Sequence, residues 1–524
     1  MAGNQSEEKI FIYGPPGSGK STLGEHLGRE LKLTFSDLDK RIVKNAGMDI
    51  PTIFSKEGEI RFRDLESREL NSAVNEGVQV IALGGGALLD DRNRSLVENN
   101  GPVICLRSPY EVLLKRLDKD KHERPLVSSN PEIQLADLLL ERRNHYDSFP
   151  IQLDSSKFNI SKLCELVQIM IGMFRVHGQD YDYDVRVNPG SLKSVGEAFQ
   201  SRGFNEPVCI VCDQNVARYH LEGVIESLKA SGYIVNNVVI PPGEEYKTIN
   251  TIERIWEGFL NSGLDRNSTA VALGGGVVGD LAGFAAATYK RGIRWAALPT
   301  SLLAMVDASL GGKTGADLPS GKNLIGSFHH PGYVLVDPET LNTLPVEEIR
   351  NGLAEVVKHG IIADPVLFQL CSSGIQALEN EWFEIISRAV MVKIRVIQND
   401  PYEKGERAVL NLGHSLGHAI ETASGYSIKH GEAVAIGIVA AARVSEKLGI
   451  GEPGLEEIIS SALRALDLRV EIPGSLDRDK IKSALGVDKK RVSGKLKAVL
   501  PVRIGEVKWG IEIDDEEFLK AGGI

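Results

Sequence analysis

Two sets of residues in this chain have the types and spacing that chemistry requires. Gly14-Pro-Pro-Gly17-Ser18-Gly19-Lys20-Ser21 fits the pattern GxxxxGK[ST]. The backbone N–H groups of such a loop wrap a β-phosphate, the lysine neutralises charge, and the hydroxyl holds Mg²⁺. Far downstream come Asn411-Leu-Gly-His414-Ser-Leu-Gly-His418 and His430-Gly-Glu432. His414 and His418 are four apart and share one helical face. A carboxylate is then needed, and Glu355 in Leu353-Ala-Glu-Val-Val-Lys358 is a candidate. Two histidines and a glutamate leave open positions on Zn²⁺ or a similar ion, which suits Lewis-acid chemistry on an oxygen. One active site rarely needs both sets, so the chain reads as two enzymes.

Further residues surround each set. After the P-loop, Asp37-Leu38-Asp39 stands at a strand end, where carboxylates meet Mg²⁺ or a substrate hydroxyl. Arg63, the Gly84–Gly86 turn, Arg124 and Arg142 (four before Tyr146) follow in order. In the distal half, Gly274-Gly275-Gly276-Val277-Val278-Gly279-Asp280 fits GxGxxG between a strand and a helix over Asp280–Tyr289, a dinucleotide-binding pattern. No acidic residue stands about 20 positions on, where a ribose contact is expected. Asp213 at one strand end and Pro242–Lys247 after another are substitutes. Lys290-Arg291, Lys313, Lys322-Asn323, Lys358, Lys393 and Arg407 lie beside glycines or acidic groups, as phosphate or carboxylate recognition requires. Singly, all these cations are ordinary surface charges.

The elements that must hold these residues read as α/β. Lys9–Tyr13 is a strand into the P-loop, Ser21–Leu31 a helix, and Val78–Leu83 and Pro102–Leu106 buried strands. Such alternation implies a parallel sheet, closed by a helix over Ile160–Phe174. Arg175–Asp184 is polar and poorly periodic. Strands follow at Val208–Cys212, Ile234–Ile240, Thr269–Leu273 and Trp295–Leu298. Beyond Leu341, helical patterns dominate: Val346–Ala363, Trp382–Asn399 and Glu432–Leu448. The chain thus divides into a P-loop domain (1–174), a linker (175–182), a dinucleotide-binding α/β part (183–340) and a mostly helical metal-binding part (341–524). The shared Ala-Leu-Gly-Gly-Gly at 82–86 and 272–276 marks two strand ends, not a repeat.

Composition limits the partners. At 524 residues, one core is too few. A net charge of −11 argues against nucleic acid or an anionic membrane as the main partner. Five scattered cysteines suit a reducing cytosol. Cys209 and Cys212 fall on a strand, where positions three apart face opposite sides. No signal peptide is evident, and the longest apolar helical run is shorter than a bilayer requires. A cytoplasmic protein is expected.

Residues 9–174 resemble shikimate kinase. The resemblance implies that Gly17, Ser18, Gly19, Lys20, Ser21 and Thr22 bind ATP, with Ser21 on Mg²⁺ and Asp37 near it. Asp39 would bind the shikimate hydroxyls and act as base. Arg63 and Arg142 would clamp the carboxylate, since a guanidinium fork suits that group. Gly85 would lie against the ring, and Arg124, on a lid, would reach the transferring phosphate. The family often has Pro between the last Arg and the Tyr. Here the stretch is Arg142-Arg143-Asn144-His145-Tyr146, so Arg142 and Arg143 both remain open as the clamp.

Residues 182–524 resemble 3-dehydroquinate synthase on long motifs: 274–280, 284–292, 299–303, 306–314, 353–358 and 410–421. The resemblance implies Glu355, His414 and His430 as ligands of Zn²⁺ (or Co²⁺), which leaves His418 outside the ligand set. His418 and Glu403 would handle protons. Arg291, Asp307, Lys313, Asn323, Asn351, Lys358, Lys393, Arg407 and Asn411 would bind the substrate, with Lys358 at the chemistry. Lys489 or Lys490 would reach its phosphate. Asp213, Glu244, Lys247, Gly275, Asp280, Thr300, Ser301, Lys322 and Thr343 would hold NAD. The implied reaction turns 3-deoxy-arabino-heptulosonate 7-phosphate into 3-dehydroquinate and phosphate, with NAD⁺ regenerated. Dimerisation through this part is also implied. Competing readings are a different small-molecule kinase fused to another sugar-phosphate cyclase or a zinc/NAD polyol dehydrogenase, and a P-loop domain that only senses nucleotide. A dehydrogenase has no use for the phosphate-binding lysines, and a sensor has none for Asp39, Arg63 and Arg142.

Overall fold

The computed structural model describes residues 9–119, 130–178, 181–486, 491–492 and 495–521. The chain forms two compact units, Met1–Ile171 and Gly172–Ile524. Among the described residues, no helix is long and apolar enough to cross a membrane.

The first unit is built on five parallel strands: β1 (Ile10–Tyr13), β2 (Phe35–Asp37), β3 (Val80–Ala82), β4 (Val103–Arg107) and β5 (Ile151–Asp154). Their spatial order is β2-β3-β1-β4-β5. Every residue of β1 and β3 is buried. That is why these strands read as unbroken apolar runs rather than alternating ones: helices cover both faces of a parallel sheet. The chain leaves β1 for the helix Lys20–Leu31, crosses to the β2–β3 side, and returns to β4. The P-loop therefore stands where the winding reverses, the position at which open α/β sheets bind ligands.

The second unit begins earlier than the sequence suggests. The helix expected to end at Phe174 stops at Ile171, and β6 (Met173–His177) pairs antiparallel with β7 (Asp182–Val187). The segment 175–182, read as a linker, thus carries an edge strand. Its alternating burial escapes a periodicity search because it has only five residues. The sheet continues through β8 (Val208–Asp213), β9 (Val235–Ile240), β10 (Thr269–Gly274), β11 (Arg294–Pro299) and β14 (Tyr333–Val336), in the order β6-β7-β14-β11-β10-β8-β9. A hairpin of β12 (Lys313–Leu318) and β13 (Gly321–Phe328) stands outside it.

Beyond Leu341 the helices Val346–Ala363 and Trp382–Asn399 match the apolar periodicity, and the last long helix runs His430–Lys447. This part also holds an antiparallel sheet of β15 (Arg491–Val492), β16 (Lys495–Arg503) and β17 (Glu506–Ile513). Only one face of β17 is covered and its burial is irregular, so its apolar pattern is weak.

Candidate active sites

In the first unit, Lys20 Nζ donates to the carbonyls of Gly14 and Pro15 at 3.0 Å. Ser21 Oγ donates to Asp37 Oδ2 at 2.5 Å. Asp37 also caps the helix Leu38–Ala46, accepting from Lys40 N. The hydroxyl and carboxylate that the sequence sets near Mg²⁺ are therefore adjacent. Gly17 and Gly19 have positive φ, and Ser18 is buried. Thr22 is exposed on the first turn of the helix.

The acceptor residues meet at the Gly84–Gly86 turn after β3. A Cβ on Gly86 would lie 2.8 and 2.9 Å from the Arg63 guanidinium and 3.1 Å from that of Arg142. A side chain at this position would push both guanidinium groups back, so the glycine leaves room for two arginines to flank the turn. Asp39 Oδ1 lies 3.2 Å from the corresponding position on Gly84. The Gly85 carbonyl accepts from Tyr146 Oη at 2.7 Å, Tyr13 Oη at 3.1 Å and Arg142 Nη1 at 3.2 Å. Burial pushes the Tyr146 phenol up to about 12, so it stays a donor. The structure separates the two candidate clamps. Arg142 faces the turn, whereas Arg143 is 71% exposed and 3.8 Å from Asp147. Arg142→Ala is expected to remove charged hydrogen bonds of about 1.5–3 kcal/mol. Initial-rate kinetics should show KM for shikimate rising roughly tenfold to a hundredfold, with Arg143→Ala near wild type. Arg124 lies outside the described residues.

Glu66 was not singled out from the sequence. It sits on the helix Ile50–Asn75, is 1% exposed, and accepts from Arg63 Nη1 at 2.7 Å. Its i,i+3 relation to Arg63 was the available signal. Burial pushes its carboxyl up to about 7, against the pull of Arg63. A raised carboxyl pKa means that the folded unit binds the proton more tightly than the unfolded chain. Its contribution to stability is complete below the ordinary value of 4.5 and is lost as pH rises through about 7. The urea concentration that halves kinase activity should therefore fall between pH 5 and 7.5, and Glu66→Gln should flatten that dependence.

In the second unit, strand register lines up one set of residues. Cys212 pairs with Leu273, Asp213 with Ile240, and Gly274 with Pro299. Asp213, Gly275, Thr300 and Ser301 therefore share the carboxyl edge of the sheet, at the reversal between β8 and β10. Gly275 precedes the helix Gly276–Thr288, whose first N–H groups face that edge. Lys247 Nζ pairs with Asp280 Oδ2 and donates to Asn323 Oδ1, both at 2.6 Å. Asn323, assigned to the substrate, thus sits with the dinucleotide group. Lys322 lies 3.4 Å from Glu244, and Thr343 Oγ1 is 2.8 Å from His220 Nε2.

The histidines converge through helix packing. A Cβ on Gly437 would lie 1.9 Å from the Gly413 carbonyl. Glycine there lets the helix His430–Lys447 close onto the start of the helix His414–Ala423. Glu355 is 1% exposed, and its Oε1 lies 3.6 Å from His414 Nε2 and 3.5 Å from His430 Nε2. Ligand atoms bound tetrahedrally to zinc at its usual bond lengths are about 3.3 Å apart. The carboxylate and two imidazoles therefore fit a divalent ion with little movement. Lys358 pairs with Glu355 Oε2 and donates to the Leu410 carbonyl at 2.7 Å. His418 is exposed, its ring edge-on to His414.

Burial, then the neighbouring Lys358, holds His414 well below the usual histidine range. Burial opposes the charge on His430, yet hydrogen bonds to Glu355 and Glu421 push it up to about 10. Metal binding there would displace a proton. Buried His359, also not foreseen, lies 3.9 Å from Asp307. Desolvation first, and Lys358 next, bring it down to about 3, so it is neutral.

Several of the residues expected to bind the substrate's anionic groups gather beside this cluster. Lys393 Nζ donates to Asp307 Oδ1 at 2.5 Å, Lys313 pairs with Glu403, and Asn411 Nδ2 donates to Glu403 at 3.3 Å. Buried Arg407 lies beside Gly311, and Asn351 Oδ1 accepts from Gly431 N at 2.6 Å. Arg291 is exposed, with φ of 71°. Asn323 and Glu403 also have positive φ, 52° and 56°. Such backbone costs about 1–3 kcal/mol per residue and gathers at ligand sites. Lys489 and Lys490 lie outside the described residues.

Comparison with known proteins fits this geometry. The chain is 43% identical over 343 residues to the 3-dehydroquinate synthase of Rippkaea orientalis, covering 64% of this chain and 93% of that one. The Nostoc punctiforme 3-dehydroquinate synthase is 41% identical, covering 64% and 95%. The chain belongs to the 3-dehydroquinate synthase family. Profiles of the N-terminal and C-terminal parts of 3-dehydroquinate synthase match residues 237–351 and 352–491. The shikimate kinase profile matches residues 16–168, so a kinase domain precedes the synthase. Among solved structures, 2-deoxy-scyllo-inosose synthase with carbaglucose-6-phosphate, NAD⁺ and Co²⁺ is 26% identical, with a TM-score of 0.62. It covers 67% of this chain and 99% of its own. The 2-epi-5-epi-valiolone synthase of Streptomyces hygroscopicus subsp. jinggangensis 5008, with NAD⁺ and Zn²⁺, is 27% identical, with a TM-score of 0.60. It covers 66% and 97%. The higher identity to 3-dehydroquinate synthases favours that activity over the other cyclases of the fold.

Proposed function

We propose that this bifunctional shikimate kinase and 3-dehydroquinate synthase uses two self-sufficient sites with the following residue roles. In the kinase, the Gly17–Thr22 backbone and Lys20 hold the ATP phosphates, and Ser21 with Asp37 holds Mg²⁺. Arg63 and Arg142 take the shikimate carboxylate across the Gly84–Gly86 turn. Asp39 orients the accepting hydroxyl and receives its proton, while Arg124 meets the transferring phosphate. The two arginines on one glycine carry this assignment.

In the synthase, Glu355, His414 and His430 hold the divalent ion. The carboxyl edge of the sheet, with Asp213, Glu244, Lys247, Gly275, Asp280, Thr300, Ser301, Lys322 and Thr343, holds NAD. When bound, the ion supplies Lewis acidity at a substrate oxygen and the dinucleotide a reversible hydride acceptor. Lys313, Lys393, Arg407, Asn351, Asn411 and Arg291 hold the phosphate, carboxylate and hydroxyls of the heptulosonate phosphate. Asp307 holds Lys393, and Asn323 joins the substrate groups to the dinucleotide groups through Lys247. Lys358 keeps the Glu355 carboxylate oriented. Glu403, held by Lys313 and Asn411, and the exposed His418 move protons. The two imidazole nitrogens about one buried carboxylate oxygen carry this half.

The reading includes a homodimer through the synthase part, measurable by light scattering, and a cytoplasmic location that suits five unpaired cysteines. Purified protein given NAD⁺, Zn²⁺ and 3-deoxy-arabino-heptulosonate 7-phosphate should release phosphate without net NADH. With ATP and Mg²⁺ it should phosphorylate shikimate. NADH that accumulates without phosphate release would make the synthase half a dehydrogenase instead.

A further inference from the structure

The two ring nitrogens of His430 face opposite ways. Nε2 lies 3.5 Å from Glu355 Oε1, and Nδ1 lies 3.4 Å from Glu421 Oε2. Glu421 is 8% exposed and stands near the end of the helix His414–Ala423, seven residues after His414. A spacing of seven is two turns, so both project from one face of that helix. One helix therefore supplies a metal ligand and a carboxylate against the ring of the other histidine ligand. A neutral imidazole that gives one nitrogen to a metal carries its only proton on the other. A buried N–H without an acceptor is costly, and the tautomer and ring angle would then be unfixed.

We infer that Glu421 is a positioning residue for the metal site: it accepts the Nδ1–H of His430 and so turns the Nε2 lone pair toward Glu355 and His414. The inference rests on the metal reading given above. Outer partners of this kind raise ligand basicity, and their loss costs on the order of 10–100-fold in metal affinity. A rival arrangement exists on the same residues, because ligand atoms of His418, Glu421 and His430 also lie within 4.8 Å of one another. An ion there would bind Glu421 directly. The buried Glu355 charge and the exposure of His418 favour the first arrangement.

The test is Co²⁺ binding to the full, metal-stripped chain, followed by visible absorption in competition with a chelator. Glu421→Gln keeps a neutral acceptor, so Kd should rise about tenfold with the band positions unchanged. Glu421→Leu has no acceptor and should approach a hundredfold rise. Glu421→Asp, which keeps the charge at shorter reach, should fall between wild type and Gln. Far-UV dichroism and the thermal transition of the synthase unit show whether each chain is folded, and the Gln and Asp series decides the matter if Leu misfolds. Unchanged affinity in folded Glu421→Gln overturns the inference, and so do shifted bands, which make Glu421 a direct ligand. His414→Ala separates the two levels. If it binds Co²⁺ as wild type does, the metal reading itself fails. If it loses the ion while Glu421→Gln does not, only the role of Glu421 fails.

Discussion

Glu355→Gln abolishes cyclisation and leaves shikimate phosphorylation at the wild-type rate. The amide is nearly isosteric but carries no charge. The ion would then have two neutral imidazoles and a weak carbonyl donor, a poor set for a divalent metal. Loss of a Lewis acid worth several kcal/mol to the developing charge lowers kcat by at least about 10³-fold. A second effect follows from Lys358, which is 1% exposed and paired with Glu355. Removing one partner of a buried pair costs about 3–5 kcal/mol, because the remaining charge has no counter-ion. The synthase unit should melt earlier even without metal, while kinase activity persists in the full chain. Phosphate release, shikimate phosphorylation and Co²⁺ titration on one preparation check this. Cyclisation above about 10% of wild type would remove Glu355 from the metal. Parallel loss of both activities would mean the two sites are not independent.

What could be read from the sequence follows from how local each signal is. The P-loop and the strand–glycine–helix at 274–280 are contiguous, and each is legible because backbone does the binding. Glu355, His414 and His430 are spread over 76 residues. No spacing rule joins the glutamate to the histidines: the residues alone offer Glu355 as a candidate, and the resemblance selects it together with His430. The structure adds groups whose meaning comes only from burial. Glu66, His359 and Glu421 are ordinary letters in helical patterns until the fold desolvates them. β6 and β17 escape a pattern search for a different reason: both pair within local hairpins, but β6 has only five residues and β17 is mostly exposed, so neither carries a clear apolar alternation. The choice between Arg142 and Arg143 depends on which face of a short helix meets the Gly85 carbonyl.

Lys20→Ala stops phosphorylation and leaves cyclisation unchanged. In the structure the ammonium bridges the Gly14 and Pro15 carbonyls, at 3.0 Å each. It is already held at the concave side of the loop, where phosphate oxygens would gather. Phosphoryl transfer depends on neutralising charge that spreads over those oxygens in the transition state. Loss of one fixed donor in such a site costs about 10²–10³-fold in kcat, and the loss of a full positive charge sets the expectation at the upper end. The acceptor residues Arg63 and Arg142 contact the Gly84–Gly86 turn rather than Lys20. Affinity for shikimate, measured by calorimetry without nucleotide, should therefore change less than twofold. Lys20→Arg should not restore the rate, because a planar guanidinium cannot occupy the place of a compact ammonium between two carbonyls. Wild-type phosphorylation by Lys20→Ala would overturn the P-loop assignment. A matching fall in phosphate release from the heptulosonate phosphate would overturn the independence of the two sites, since nothing in the synthase cluster depends on a charge at residue 20.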